Sequence, residues 1–401
     1  MRLLHTADWH FGRTLEGRSR AAEHEAFVDE LVRLADEAEA DAVLLAGDVY
    51  DSVNPPADAE TLFYEALTRL SKGGRRPVLA IAGNHDHPDR LRAAGPLARA
   101  QGVSLVGLPT VDVIAVDAAR TGERAIVYAL PYPSESRLKE LLSAEADEQA
   151  LQQAYSARIA KLVRDASAER FGAGTVNVIM SHLHALGGSA TPESERPIEV
   201  GGAYTVDPSA FGTAAQYVAL GHLHRPQNVR RRDDGPGPIV RYSGSPLAFS
   251  FSEAGQAKSV TIVDVSPGGA PAIEEIPLSS GRTLVSWIAQ GGVAEVHRWI
   301  DEGRDANAWI DLELHLTDAL TMEQIQALRR AHDGLVNIRP VFALEREAAA
   351  ARAERALPID ELFRRFYVRQ TGGAEPDETM IRLFLELVRE DGDAEREEER
   401  A

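Results

Sequence analysis

The chain has 401 residues and a formal net charge of −19, with 62 acidic and 43 basic side chains. This charge disfavours passive attraction to nucleic acid or to an anionic membrane, although bound metal ions would add positive charge locally. Because the sequence contains no cysteine, disulfides, thiolate nucleophiles and cysteine-bound zinc are excluded.

The first part of the chain alternates short apolar runs with helical patterns, as parallel βαβ units do. Strands are predicted at residues 2–6, 41–46, 77–82 and 103–106, and helices at 21–39, 57–71 and 89–101. Later apolar runs lie at 111–116, 125–130, 176–181, 217–220, 240–243 and 260–265, with a helix at 151–171. These runs predict a second sheet. Residues 1–280 are therefore expected to form an α/β sandwich of two sheets with outer helices.

The character of the sequence changes near residue 280. A strand–helix–strand pattern predicts a small α+β domain at residues 281–343, and a charged, alanine-rich stretch predicts a linker at 344–357. Two amphipathic segments follow, interrupted by Gly372-Gly373 and Pro376, and predict a helical hairpin at 358–390. Residues 391–401 are predicted to form a charged, disordered tail. The apolar stripes of the hairpin suit either packing onto this chain's own body or docking to a helical partner.

Five short polar motifs each follow directly on a predicted strand. They are Asp8-Trp9-His10, Gly47-Asp48, Gly83-Asn84-His85-Asp86, Ser181-His182-Leu183-His184 and Gly221-His222-Leu223-His224. Ligands of open α/β sheets bind outside the carboxyl ends of strands, so these loops are expected to meet. Their carboxylate, amide and imidazole groups suit manganese, iron or zinc better than calcium.

The spacing within the motifs supports a centre with two metal ions. Residues i and i+2 of an extended segment project to the same face, so Asp8 can act with His10, and His222 with His224. Two closely spaced ions need a bridging ligand, and the carboxylate of Asp48 is the candidate. The glycines that precede Asp48, Asn84 and His222 are expected to let the backbone turn sharply.

Taken together, the motifs resemble the calcineurin-like metallophosphoesterase family. Within it, segments 3–12, 44–51 and 242–246 are similar to the nuclease subunits of bacterial double-strand-break repair complexes. The resemblance implies two Mn²⁺ ions bridged by Asp48. It implies that the first ion is held by Asp8, His10, Asp48 and His224, and the second by Asp48, Asn84, His182 and His222.

The same resemblance implies catalytic roles for two further residues. His85 protonates the leaving oxygen, and Asp86 orients His85. Some relatives have a second active-site histidine where this chain has Asp51. We interpret Asp51 as a turn or helix-start residue, and His184 and His87 as supporting or solvated groups.

The resemblance further implies a manganese-dependent DNA nuclease that acts on double-stranded ends, single strands and hairpins in break repair and recombination. Its partners would be DNA and an SbcC-type ATPase bound through the hairpin, with a homodimer inside a heterotetramer. The domain at 281–343 would cap the active site and bind DNA. Arg230-Arg231-Arg232 and Arg329-Arg330 are candidate phosphate contacts. Lacking a signal-peptide pattern or a long apolar stretch, the protein is expected to be cytoplasmic and nucleoid-associated.

Two other functions fit parts of the pattern. A phosphatase or cyclic-nucleotide phosphodiesterase would use the same metal architecture, but small-molecule enzymes need neither a second domain nor a partner hairpin. A non-catalytic scaffold would keep the fold without metals, but the complete ligand set together with His85 argues against it. An isolated Asp or His more often has a structural role. Five such motifs in this order favour a catalytic metal site instead.

Overall fold

A computed structural model describes residues 1–134, 148–195, 204–230 and 236–342, together with ten positions between 363 and 384. The predicted linker and tail lie outside the described residues, as do Arg231 and Arg232, and the predicted hairpin is described only in part. Two compact units are present: Met1–Trp287, Gly303–Asp311 and His332–Asn337 form the first, and Ile288–Glu302, Leu312–Ala331 and Ile338–Ala401 the second. The domain boundaries given above remain predictions.

The described strands and helices are as follows. The strands are β1 Arg2–Thr6, β2 Thr14–Leu15, β3 Arg18–Ser19, β4 Ala42–Leu45, β5 Val78–Ile81, β6 Val103–Val106, β7 Val113–Asp117, β8 Arg124–Leu130, β9 Val176–His182, β10 Tyr217–Gly221, β11 Gln227–Val229, β12 Ile239–Tyr242, β13 Ser259–Asp264, β14 Ala272–Pro277, β15 Leu284–Ala289, β16 Trp309–Leu316 and β17 Leu335–Phe342. The α-helices are α1 Ala21–Glu37, α2 Ala57–Ser71, α3 Pro88–Ala93, α4 Gly95–Arg99, α5 Glu148–Ser167, α6 Gly292–Asp301 and α7 Met322–Ala331, and short 3₁₀ helices span Pro208–Phe211 and Phe251–Glu253.

Two six-stranded sheets form the body of the first unit, which confirms the predicted two-sheet α/β fold. The first has the order β14–β13–β1–β4–β5–β6, and the second the order β11–β12–β10–β9–β8–β7. Strands β1, β4, β5 and β6 run parallel, as do β8, β9, β10 and β12. In both sheets, therefore, the carboxyl ends of the central strands lie at one edge.

The prediction for one strand is wrong. The run at 260–265 is predicted in the second sheet, but β13 pairs antiparallel with β1 in the first. The Arg2 guanidinium holds the carboxylate of Asp264 at 2.8 Å beside this pairing. An apolar run that is buried on both faces does not specify which sheet it joins, so its pattern could not have settled the question.

Alternate side chains of the central strands enter different cores, as the two-residue period of a strand requires. Leu3 and Leu44 pack between the two sheets, whereas Leu4 and Val43 pack under α1 and α2. On the far side of the second sheet, Ile179 belongs to a third core beneath α5. The sheets are thus fixed against each other by apolar side chains, which holds their strand ends in one place.

Strands β15, β16 and β17 form a three-stranded sheet in the order β15–β16–β17. The predicted strand–helix–strand pattern corresponds to β16, α7 and β17, whereas β15 and α6 were not predicted. In the hairpin region, the described helical positions include Phe363 and Phe384, whose rings stack at 4.1 Å and 11°. Among the helices of the described residues, none has the length and apolarity needed to cross a membrane.

Glu23 is the centre of a buried polar network in the first unit. Its side chain is 7% exposed and accepts hydrogen bonds from the Arg20 guanidinium at 2.6 and 2.7 Å, the Arg282 backbone N–H at 2.7 Å and the Trp309 indole at 2.9 Å. Arg20 is only 1% exposed. The network therefore joins the start of α1 to residues near β15 and β16.

Glu23→Gln is expected to destabilise the protein by about 3 kcal/mol, because it leaves the buried Arg20 without its anion. The free energy of unfolding in denaturant measures this effect. Glu37→Gln is the matched control, since Glu37 is 59% exposed and pairs with Arg33 on the surface, and such pairs contribute about 0.5 kcal/mol or less. Equal losses for the two variants would contradict the importance of the network.

The contribution of Glu23 also depends on pH. Burial alone would raise the pKa of Glu23, but the hydrogen bonds from Arg20 and its other partners lower it below the ordinary 4.5. A carboxylate whose pKa is lower in the folded state contributes stability above the unfolded pKa and loses it as pH falls through the folded pKa. The stability difference between wild type and Glu23→Gln should therefore be full near pH 7 and shrink below about pH 4.5, as measured by thermal unfolding.

Candidate metal centre

The seven predicted metal ligands lie at the carboxyl ends of parallel strands from both sheets. The first sheet supplies the side chains that follow β1, β4 and β5, namely Asp8, His10, Asp48 and Asn84. The second sheet supplies the last residue of β9 and the residues after β10, namely His182, His222 and His224. All except Asn84 are at most 4% exposed.

Two groups of ligand atoms form within this cluster. In one, the atoms of Asp8, His10 and His224 lie within 4.8 Å of one another, and the two Nε2 atoms of the histidines are 3.2 Å apart. In the other, the atoms of Asp8, Asp48 and His182 lie within 4.8 Å. Asp48 Oδ2 is 3.7 Å from His10 Nε2 and 3.5 Å from His182 Nε2. Its carboxylate thus stands between the two groups.

Several of these atoms face each other as hydrogen-bond acceptors. The Nδ1–H of His182 donates to the Ala46 carbonyl at 2.9 Å, which leaves the lone pair on Nε2 facing Asn84 Oδ1 at 2.9 Å. Two lone pairs at this distance need a proton or a cation between them. The donor set of carboxylate, amide and imidazole is also one that divalent transition metals accept. The residues therefore fit a dinuclear metal centre.

The electrostatics of the centre lead to the same conclusion. Burial, together with the nearby Asp48 charge, raises the pKa of Asp8 to about 6. Burial alone would lower the pKa of His182, but the Asp48 carboxylate raises it to about 9, so without an ion a proton occupies the place on Nε2 that a metal cation would take. Burial lowers the pKa of both His10 and His222. Buried acids and neutral imidazoles in one cluster favour binding of positive ions.

The backbone at the ligands is unusual. Asp8, His10, Asp48 and His222 have φ of 57°, 47°, 49° and 106°, which lies in the left-handed region. Such conformations cost on the order of 1–3 kcal/mol each and concentrate at functional sites. Hydrogen bonds across the centre hold them: the Asp8 carboxylate accepts from the His222 N–H at 2.9 Å, and Asp48 Oδ1 accepts from the His85 N–H at 2.9 Å.

The glycines before the ligands have a steric role that differs in part from the predicted one. The predicted sharp turn of the backbone is found at Gly47, whose φ is 92°. At Gly83 and Gly221 the reason is close approach instead, because an added Cβ would lie 2.0 Å from Asp48 Oδ1 or from the Ala46 carbonyl oxygen. Both glycines thus make room for atoms that build the centre.

His85 is placed differently from the buried ligands. Its side chain is 12% exposed, and its Nδ1–H donates to the Asp51 carbonyl at 2.7 Å. The Nε2 atom is therefore left on the side of Asp48, whose Oδ2 lies 4.0 Å away. Compared with the buried histidines among the predicted ligands, His85 is therefore well placed to contact a substrate.

Asp86 contacts the backbone rather than the His85 ring. Its carboxylate accepts hydrogen bonds from the backbone N–H groups of Val49, Tyr50 and Gly83 at 3.1, 3.0 and 2.8 Å. It therefore joins the loops after β4 and β5, and any effect on His85 would act through the position of these loops. The ring of His85 is oriented by the Asp51 carbonyl instead.

The remaining candidate residues lie beside the centre. The ring of His184 is 6.1 Å from that of His222, and His87 is exposed, where its Nδ1 accepts from the Arg90 N–H at the start of α3. The Asp51 carboxylate lies 3.3 Å from the Arg13 guanidinium. The Asp51 carboxylate also lies 3.6 Å from His10 Nδ1, and ligand atoms of His10, Asp51 and His85 form a further group within 4.8 Å. The roles interpreted from the sequence stay predictions.

A set of buried polar residues behind His224 was missed. His224 Nδ1 lies 2.6 Å from Ser194 Oγ, and Ser194 Oγ–H donates to Glu253, which also pairs with Lys258. The His224 N–H donates to Glu195 at 2.9 Å. Ser, Glu and Lys in loops follow no periodic pattern, so nothing in the sequence distinguishes them from surface residues.

Comparison with known proteins agrees with this geometry. Residues 1–226 match the family described as calcineurin-like phosphoesterase, whose members bind a dinuclear metal site, and residues 281–371 match the type 5 capsule protein repressor C-terminal domain (SbcD_C).

Three bacterial proteins, each named as the SbcD component of the SbcCD nuclease, are similar along most of the chain. The Bacillus subtilis protein is 51% identical over 97% of this chain and 98% of its own length. The Rhodobacter capsulatus protein is 39% identical, covering 73% of this chain and 72% of that protein. The Escherichia coli K12 protein is 28% identical, with coverage of 91% and 92%. The chain therefore belongs to the calcineurin-like phosphoesterase family, in the group of the SbcD nucleases.

Proposed function

We propose that this protein is a manganese-dependent DNA nuclease subunit that works with an SbcC-type ATPase in double-strand-break repair and recombination. It would act as an exonuclease on double-stranded ends and as an endonuclease on single strands and hairpins. The observation that carries the proposal is the cluster of predicted ligands beside the partly exposed imidazole of His85. Ligand atoms of Asp8, His10, Asp48, His182 and His224 group there, with Asn84 and His222 next to His182. The names of the three relatives support a nuclease activity.

The arrangement suits hydrolysis of a phosphodiester. Two bound divalent ions would neutralise the charge of the phosphate and lower the pKa of a water molecule. Asp48 stands between the two ligand groups and fits the predicted bridging role. The resemblance puts Asp8, His10 and His224 on one ion and Asn84, His182 and His222 on the other. The grouping of Asp8 with His10 and His224, and the 2.9 Å between Asn84 and His182, support this assignment, while Asp8 also groups with Asp48 and His182.

The proton for the departing sugar oxygen is assigned to His85. General acid catalysis would use the imidazolium form of His85: its Nδ1–H is held by the Asp51 carbonyl, so the proton to be transferred is the one on Nε2, on the side of the ligand cluster, and the ring is left neutral. A histidine can give up a proton near neutral pH, and general acid catalysis contributes about 10²–10⁴ in rate. Asp86 would support this geometry by fixing the loops that carry Asp48 and His85.

The proposed docking of the ATPase uses the C-terminal hairpin. Its described positions are helical except for Pro376 and Asp377, and the stacking of Phe363 on Phe384 joins its two segments. The match of residues 281–371 to the SbcD_C domain supports a C-terminal region with a role beyond the phosphoesterase fold. The capping domain at 281–343, the DNA contacts of Arg329 and Arg330 on α7, and a homodimer within the complex belong to the same proposal.

The experiment that tests the function compares two kinds of substrate. In Mn²⁺, the protein with its ATPase should open a labelled hairpin DNA and degrade linear duplex, while hydrolysis of a nitrophenyl phosphodiester stays slow. Rapid nitrophenyl hydrolysis without DNA cleavage would favour the small-molecule phosphodiesterase. Failure to bind Mn²⁺ in calorimetry would favour the non-catalytic scaffold.

A further inference from the structure

A continuous chain of buried polar groups runs behind the imidazole of His224. Lys258 Nζ pairs with the Glu253 carboxylate, Glu253 accepts from Ser194 Oγ–H, and Ser194 Oγ lies 2.6 Å from His224 Nδ1. Glu253 is fully buried, Ser194 is 4% exposed and Lys258 9% exposed. Ser194 precedes β10, whereas Glu253 and Lys258 both belong to the connection between β12 and β13, so the fold brings the two segments together here.

The direction of the hydrogen bonds follows from the partners of Glu253. Its side chain pairs with the ammonium group of Lys258, which makes it the carboxylate of a buried ion pair. The N–H of Phe249 also donates to it, at 2.9 Å. A carboxylate only accepts hydrogen bonds, so the single hydroxyl proton of Ser194 points to Glu253.

The consequence for His224 concerns its tautomer. Because the Ser194 hydroxyl donates its proton to Glu253, Ser194 Oγ can only accept a hydrogen bond from His224. The imidazole proton of His224 is therefore on Nδ1. The lone pair then sits on Nε2, the atom that lies 3.2 Å from His10 Nε2 inside the ligand cluster. Hydrogen bonds of this kind fix the ring orientation and the basicity of histidine ligands.

We infer that Ser194, held by Glu253, is a positioning residue that sets the tautomer and the ring orientation of His224 for binding one of the two metal ions. The inference rests on the proposed function, because the orientation of His224 matters there as that of a metal ligand. Ser194 itself does not join the ligand cluster, since its hydroxyl lies against Nδ1, on the side of the ring away from the other ligands.

The first test is a titration with Mn²⁺, in which calorimetry and electron paramagnetic resonance measure the binding of the ions. Wild type should bind two ions. Ser194→Ala should weaken one of the two about 10- to 100-fold and leave the other unchanged, whereas Ser194→Thr, which keeps the hydroxyl, should bind both ions almost normally. Ser71→Ala is the matched control, because Ser71 is fully buried and its hydroxyl donates to the Thr68 carbonyl in α2, away from the centre.

A second measurement is made on the wild-type protein and does not depend on how the Ser194 variants fold. In metal-free wild type labelled with ¹⁵N-histidine, the signals of His224, assigned by their loss in His224→Asn, should show a proton on Nδ1. A proton on Nε2 would overturn the inference, as would two ions bound to Ser194→Ala as tightly as to wild type. Fewer than two ions bound to the wild type would instead overturn the proposed function, and the inference with it.

Discussion

His85→Ala is expected to keep both metal ions and to reduce DNA cleavage by about 10²–10⁴, the usual contribution of a general acid. The side chain is outside the seven predicted ligands, and its Nδ1–H bonds to the Asp51 carbonyl rather than to a ligand. Its removal therefore leaves the ligand atoms in place and takes away the proton donor. The measurements are hairpin-DNA cleavage in Mn²⁺, with and without the ATPase, and ion binding by calorimetry.

His87→Ala is the control for that variant. His87 lies two residues further along the same loop, is exposed, and caps α3, so its removal should leave cleavage almost unchanged. Full cleavage by His85→Ala with both ions bound would refute the role of His85. Loss of an ion from this variant would show instead that His85 supports the metal centre.

Gly83→Ala is expected to abolish tight binding of the metal pair and to lower cleavage by at least about 100-fold, since displacements near 1 Å at an active site can cost that much. An added Cβ would lie 2.0 Å from Asp48 Oδ1 and 2.3 Å from the Asp48 backbone nitrogen. Neither atom can move without displacing the carboxylate that stands between the two ligand groups. Mn²⁺ calorimetry and DNA cleavage measure the two effects.

The matched control for Gly83→Ala is Gly174→Ala. An added Cβ at Gly174 would meet nothing within 4 Å, so this variant should bind both ions and cleave DNA as wild type does. Retention of both ions by Gly83→Ala would mean that Asp48 does not need its present position, which would remove the case for a bridging carboxylate.

Local pattern accounts for much of the fold. The predicted bounds of 2–6 and 57–71 are those of β1 and α2, because each segment has a clear period and clear ends. The helix predicted at 89–101 is instead two short helices, α3 and α4, because Pro96 lacks an N–H and does not continue a helix from α3. Strand β14 was missed because none of its residues is buried and Glu274 and Glu275 interrupt its apolar residues.

The residues of the site divide in the same way. The cluster of predicted ligands could be found from the sequence because each lies at or just after the end of a strand and carries a side chain suited to metals. Ser194 and Glu253 could not be, because their importance comes from contacts between loops that are 59 residues apart. The local sequence pattern also does not indicate that the Asp86 carboxylate accepts hydrogen bonds from three backbone amides. Such contacts depend on tertiary packing, which a single sequence does not display.

Two hydrogen bonds described above connect the sheets directly: His182 to the Ala46 carbonyl, and the His222 N–H to the Asp8 carboxylate. Since each sheet carries only part of the ligand set, separating the sheets would dismantle both ion sites in a single event. A ligand that binds only the folded state stabilises it by about 2.7 kcal/mol at 100 times its dissociation constant. The free energy of unfolding would then rise with the concentration of divalent ions. Chelators would lower the stability of both sheets together.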